Sequence, residues 1–178
     1  MKRAGRRWVL GVVGVCVCML LCIRIVYGGS LKSLESYMTQ ADKHVKQCSQ
    51  YAQEKKYAQS EEECTQAIIM LEKALDIRSD VRLKKPEVFD IDFSRMAMHA
   101  CFNRGISLYH QGDLHCAWVD IADGQRWGEF SILGTDIAKK AEQIWPKIVE
   151  EMEKTGRRGR EDCPLSLPSP SYMQYLKR

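Results

Sequence analysis

Apolar residues follow different patterns in successive parts of this chain. From Trp8 to Ile23 every residue is apolar or glycine, and Ile25, Val26 and Tyr27 carry the run past Arg24. About 20 residues of helix span the roughly 30 Å of a bilayer core, so residues 1–28 are predicted to form a membrane anchor embedded through residues 8–27. Lys2, Arg3, Arg6 and Arg7 precede the run, against one arginine near its far side. That asymmetry keeps the N-terminus in the cytoplasm and sends the remainder across the membrane, into the periplasm if the cell is bacterial. Val26-Tyr27-Gly28 also suits a signal peptidase, so a cleaved signal segment is the alternative.

Beyond the anchor the period becomes helical. Tyr37, Ala41, Val45, Cys48 and Ala52 form one stripe, and Tyr57, Ser60, Cys64, Ala67, Leu71 and Ala74 form another. The polar break Gln53-Glu54-Lys55-Lys56 is short, so the two helices must fold back as an antiparallel hairpin over residues 34–78. Residues 79–93 carry Pro86 and alternate apolar with acidic positions, which predicts an ordered loop or short extended insertion. A second hairpin is predicted over 94–128, with Gly112-Asp113 at its turn. A capping helix follows over 135–154, with Ile137, Ala141, Ile144, Trp145, Ile148, Val149 and Met152 on one face and Pro146 expected to kink or split it. The tail, 156–178, is rich in Arg, Ser and Pro and is predicted to be unstructured. The fold class is therefore all-α, a helical domain over 34–154 behind one transmembrane helix.

The two hairpins repeat one another. Adding 57 to Cys48, Tyr51, Tyr57, Ser60, Cys64 and Ala67 gives Gly105, Leu108, Leu114, Ala117, Ile121 and Gly124. Small residues on facing helices let them approach closely, and larger ones beside the turn fill the remaining space. This pattern resembles the tetratricopeptide repeat, the second hairpin most closely, since Gly105, Gly112-Asp113-Leu114 and Ala117 stand where that family expects Gly, Gly-Asp-Tyr and Ala. The first hairpin departs from it, with Cys48 and Lys55 at usual Gly positions and no closing Pro, and the offset of 57 exceeds the usual spacing of about 34.

The charge has a distribution that the total of +4 conceals. Residues 29–156 hold 17 Lys/Arg against 21 Asp/Glu, and the basic excess sits at the two ends. An acidic folded part argues against nucleic-acid binding. No catalytic motif, phosphate-binding loop or metal-ligand spacing is present. No enzyme activity, metal or cofactor is therefore expected. Of the five cysteines beyond the anchor, Cys48 and Cys64 face each other in the first hairpin, so they are either bonded in an oxidising compartment or two small buried thiols.

The resemblance implies a concave groove, lined mainly by the first helix of each hairpin, that holds a protein or peptide partner. Exposed polar residues expected to contact that partner are Lys43, Gln47 and Gln50 in the first hairpin and Asn103, Arg104 and Ser107 in the second. Two hairpins are few for a stable stack, so the fifth helix should cap them or the chain should form a homo-oligomer, with exposed Phe89 and Phe93 at the seam. The alternative reading is an extracytoplasmic solute-binding or transport-accessory protein with an apolar pocket between the hairpins.

Overall fold

A computed structural model describes residues 30–78, 86–128 and 136–155, together with Cys163 and Leu167. Among these residues the structure is all-α, with no strand. Helix α1 covers 30–53, and α2 (Tyr57–Arg78), α3 (Pro86–Gln111), α4 (Leu114–Gly128) and α5 (Asp136–Thr155) follow. No helix among the described residues is long and apolar enough to cross a membrane. The predicted anchor lies outside them.

The two hairpin turns are built alike. In the first, Lys55 N donates to Ala52 O (3.2 Å) and Lys56 N to Tyr51 O (2.9 Å); in the second, Gly112 N donates to Tyr109 O (3.1 Å) and Asp113 N to Leu108 O (3.0 Å). Each pair of bonds satisfies carbonyls left over at a helix end and requires one residue in the left-handed region. Gly112 (φ 85°) and Lys55 (φ 59°) occupy that position, again 57 residues apart. The chain then starts α2 and α4 identically, with Ser60 N bonded to Lys56 O and Ala117 N to Asp113 O. Asp113 Oδ1 also accepts from Cys116 N (3.3 Å), a side-chain cap that Lys56 cannot supply.

The same correspondence holds between the helices. Cys48 and Cys64 are joined by a disulfide with Cα atoms 5.2 Å apart. Their counterparts, Gly105 and Ile121, meet by van der Waals contact, and a β-carbon on Gly105 would stand 2.8 Å from Ile121 Cγ1 and 3.1 Å from the backbone oxygen of Ala117. Gly124 likewise lies under the Phe102 ring, 2.5 Å from where its own β-carbon would be. Both hairpins thus close at equivalent positions, one covalently and one by the absence of a side chain.

Helix α3 is central. It packs on α2, α4 and α5 and reaches α1 through Asn103 Nδ2, which donates to Ser49 Oγ (2.9 Å). It runs antiparallel to α2: Gln111, at its end, bonds Glu61 near the start of α2, and Asp90, near its start, meets Arg78 at the end of α2. Helix α5 returns parallel to α3, with Tyr109 donating to Glu151 (3.2 Å) near the ends of both. Ala141 and Ile148 are the buried points of α5, flanked by Ile137, Ile144, Trp145 and Met152 against the core.

Four expectations need correction. The insertion is helical from Pro86 onward, because proline suits a first helical turn and Phe89 and Phe93 share an inward face at i, i+4 spacing. Phe93 is fully buried against Trp127 (5.2 Å) and Phe89 is half-buried beside the Arg78 guanidinium, so neither forms an exposed seam. Pro146 does not split α5; it and Glu142, whose carbonyl bond it removes, both lie on the solvent side. The tail is not loose at two points, since Cys163 is bonded to Cys116 on α4 and Leu167 is buried in the core.

The turns make a paired prediction. Replacing Lys55 by Gly should stabilise the fold by about 1 kcal/mol, and Gly112→Ala should destabilise it by about 1–2 kcal/mol, because only the non-glycine residue is strained at positive φ. Urea denaturation of the two variants checks the opposite signs. Peptide mapping without reduction should recover Cys48 linked to Cys64 and Cys116 linked to Cys163, and losing the first link, which closes a loop of 16 residues, should cost about 3 kcal/mol.

Candidate functional site

Parallel helices α1, α3 and α5 enclose a groove of about 540 Å³. Its first wall is the end of α1 and the turn after it, where Ser49, Ala52, Gln53 and Lys55 face inward with Tyr57. The floor is one stripe of α3, His99, Asn103, Ile106 and His110, recurring at the three- and four-residue intervals of a helix face. The far wall is the first three turns of α5, with Lys140, Gln143 and Lys147 above Ile137 and Ile144, and Asp136 at one end. Most lining side chains are polar.

Charge concentrates at the end formed by the hairpin turns. His110 stacks on Tyr57 (centroids 4.2 Å, planes 15° apart) with the edge of Tyr109 behind it. Burial lowers its affinity for a proton, and Lys55 and Lys147, approaching from opposite walls, lower it further. His99 is lowered as well, by burial and then by Arg95. At neutral pH both imidazoles are therefore uncharged, each offering one donor and one acceptor. Lys55, Lys140 and Lys147 make no ion pair among the described residues, whereas their neighbours Lys56 and Lys139 are paired with Glu54 and Asp136. A mildly acidic domain thus carries a cationic groove.

The residues chosen from sequence distribute unevenly around it. Asn103 is on the floor, held by Ser49 and by the His99 carbonyl (3.0 Å). Lys43 and Gln50 are exposed and Gln47 is half-buried, but they lie on the stripe of α1 beside the one that lines the groove. The expected exposure of Asn103, Arg104 and Ser107 does not hold: each is 3% exposed or less. The reason is the position of α3, covered by α1 and α2 on one side and by α4 and α5 on the other. Arg104 turns into the core, where Nε and Nη2 bond both oxygens of Asp120 (2.6 and 2.7 Å). Ser107 Oγ is fully buried and makes no hydrogen bond among the described residues.

Sequence alone does not mark the groove residues on α5 and at the turn as parts of one site. Their signal was the row of Lys140, Gln143 and Lys147 beside the apolar face of α5, which gains meaning only once α5 is known to run beside α3. Among the described residues no three His, Cys, Asp or Glu side chains gather closely enough to hold a metal ion. Cys101 is a free thiol, buried and pushed well above its usual pKa by that burial. The chain matches no protein-family model, no curated protein and no solved structure.

The Arg104–Asp120 pair gives a pH signature of the scaffold. Burial raises the Asp120 carboxyl from 3.8 to about 6, against the pull of Arg104. For Arg104 burial acts downward, and the bonds to Asp120 more than offset it. Between 3.8 and about 6 the folded state holds a proton that the unfolded chain releases, so this group's contribution to stability falls as pH rises through that window. Urea midpoints measured from pH 4 to 7 should show that fall, and Asp120→Asn should flatten it relative to the native chain.

Proposed function

We propose that this protein is a membrane-tethered interaction module whose α1–α3–α5 groove holds an acidic peptide segment of a partner protein outside the cytoplasm. The observation that carries this reading is the groove itself, bounded by three parallel helices and set with three lysines that make no ion pair among the described residues. Three exposed ammonium groups around one concave surface add their potentials and draw a carboxylate more strongly than a lone lysine does. Neutral His99 and His110, with Gln143, supply directional bonds suited to a peptide backbone, and Ile106, Ile137 and Ile144 supply apolar contact. This mixed lining suits a peptide better than an apolar solute, which would leave the polar groups unpaired.

Two further observations support this reading. Four of the five cysteines beyond the apolar run pair across the fold, which suits an oxidising compartment. The duplicated turns and the small-residue contacts at Gly105 and Gly124 agree with the resemblance to tetratricopeptide hairpins, a scaffold that displays its first helices to peptides.

Fluorescence anisotropy of the full chain in detergent, titrated against acidic, neutral and basic peptides, tests the reading. Acidic peptides should bind preferentially and weaken as salt is raised. The double variant Lys140→Glu, Lys147→Glu should lose about tenfold or more in affinity, at least 1.4 kcal/mol, while Lys43→Glu outside the groove should bind as the native chain does. Equal binding of acidic and basic peptides would sink the proposal.

A further inference from the structure

Four large apolar side chains stand exposed among the described residues: Leu31 (39%), Val88 (49%), Ile91 (44%) and Trp118 (38%). Trp118 lies against Trp145 of α5, with ring centroids 5.5 Å apart. The other three belong to one end of the bundle. Leu31 is in the first turn of α1, and Val88 and Ile91 occupy one face of the first two turns of α3 at i, i+3 spacing. Chain direction brings these turns together. The start of α1 pairs with the end of α2, as the ammonium of Lys73 over the Tyr37 ring records, and the end of α2 meets the start of α3 where Arg78 approaches Asp90 and Phe89.

The sequence says what lies next to this end. The apolar run closes at Tyr27, and only Gly28 and Gly29 separate it from Ser30 in α1. Three peptide steps span at most about 10–11 Å, so a run embedded in a bilayer leaves the first turn of α1 in or beside the headgroup layer. The apolar residues at this end then have a definite neighbour. Val and Ile placed in the interface remove apolar area from water, and Lys32, exposed in the same first turn of α1, can lie among the phosphates.

We infer that the first turn of α1 and the first two turns of α3 form a lipid-docking surface, with Leu31, Val88 and Ile91 seated in the interface of the membrane that residues 8–27 enter. The inference rests on the anchor reading of the N-terminal run and is independent of what the groove binds. It fixes an orientation. With α1 standing on the bilayer, its 24 residues raise the hairpin turns by about 36 Å, and the lysine-bearing end of the groove points away from the membrane.

The test uses the full chain in phosphatidylcholine vesicles containing a phosphatidylcholine with a diazirine near its headgroup, followed by irradiation and peptide mapping. Lipid adducts should appear on the peptides holding Leu31 and Val88–Ile91, several-fold above those on the peptide holding Trp118. Val88→Asp with Ile91→Asp should remove the adducts on α3 while those on residues 8–27 persist. Adducts confined to residues 8–27 would overturn the docking surface and leave the anchor standing. Equal labelling of the Trp118 peptide would overturn it as non-specific contact. Recovery of the chain unlabelled in the soluble fraction would overturn the anchor and the docking surface together.

Discussion

Gly105 has no room for a β-carbon, and much of the molecule depends on that. Because Ile121 and the Ala117 carbonyl fill the space, α3 and α4 approach more closely than two helices bearing ordinary side chains could. The close approach lets Phe102 fill the space a side chain on Gly124 would need and brings Arg104 within reach of both Asp120 oxygens. Helix α5 packs on both helices of the second hairpin and becomes the far wall of the groove. In the first hairpin the equivalent contact is a disulfide, which holds the helices with Cα atoms 5.2 Å apart. Two different chemistries meet one geometric requirement.

The duplicated geometry was legible in the sequence because its signals are local. Gly112-Asp113 and the small residues 57 positions apart report turns and helix faces directly, and the structure repeats each turn bond at that offset. The start of α3 was harder to read. Val88, Phe89, Ile91 and Phe93 place apolar residues on both faces of the helix, which imitates alternation when no side can be assigned to solvent. The same limit hid the fate of Arg104. A polar residue on a helix looks exposed until its partner is found, and Asp120 lies 16 residues away on another element.

Recognising the candidate groove required relations that no window of sequence contains. His110 and Lys147 are 37 positions apart, and their proximity follows from α5 lying parallel to α3. Cys163 was equally obscure, since a cysteine in a stretch rich in Arg, Ser and Pro gives no sign that α4 holds its partner. What the sequence did carry was the asymmetry between apolar run, acidic domain and basic ends, and that asymmetry makes a cationic groove on the domain a contrast rather than a continuation of its surface.

Cys101 lies in the core between α3 and its neighbours, only 1% exposed, while the other four cysteines of the domain are bonded. Its thiol is kept protonated by burial and so reacts only when the helices part. The domain therefore carries its own clock for transient opening: with both disulfides intact, the pace at which the Cys101 sulfhydryl is alkylated counts how often the interior breathes.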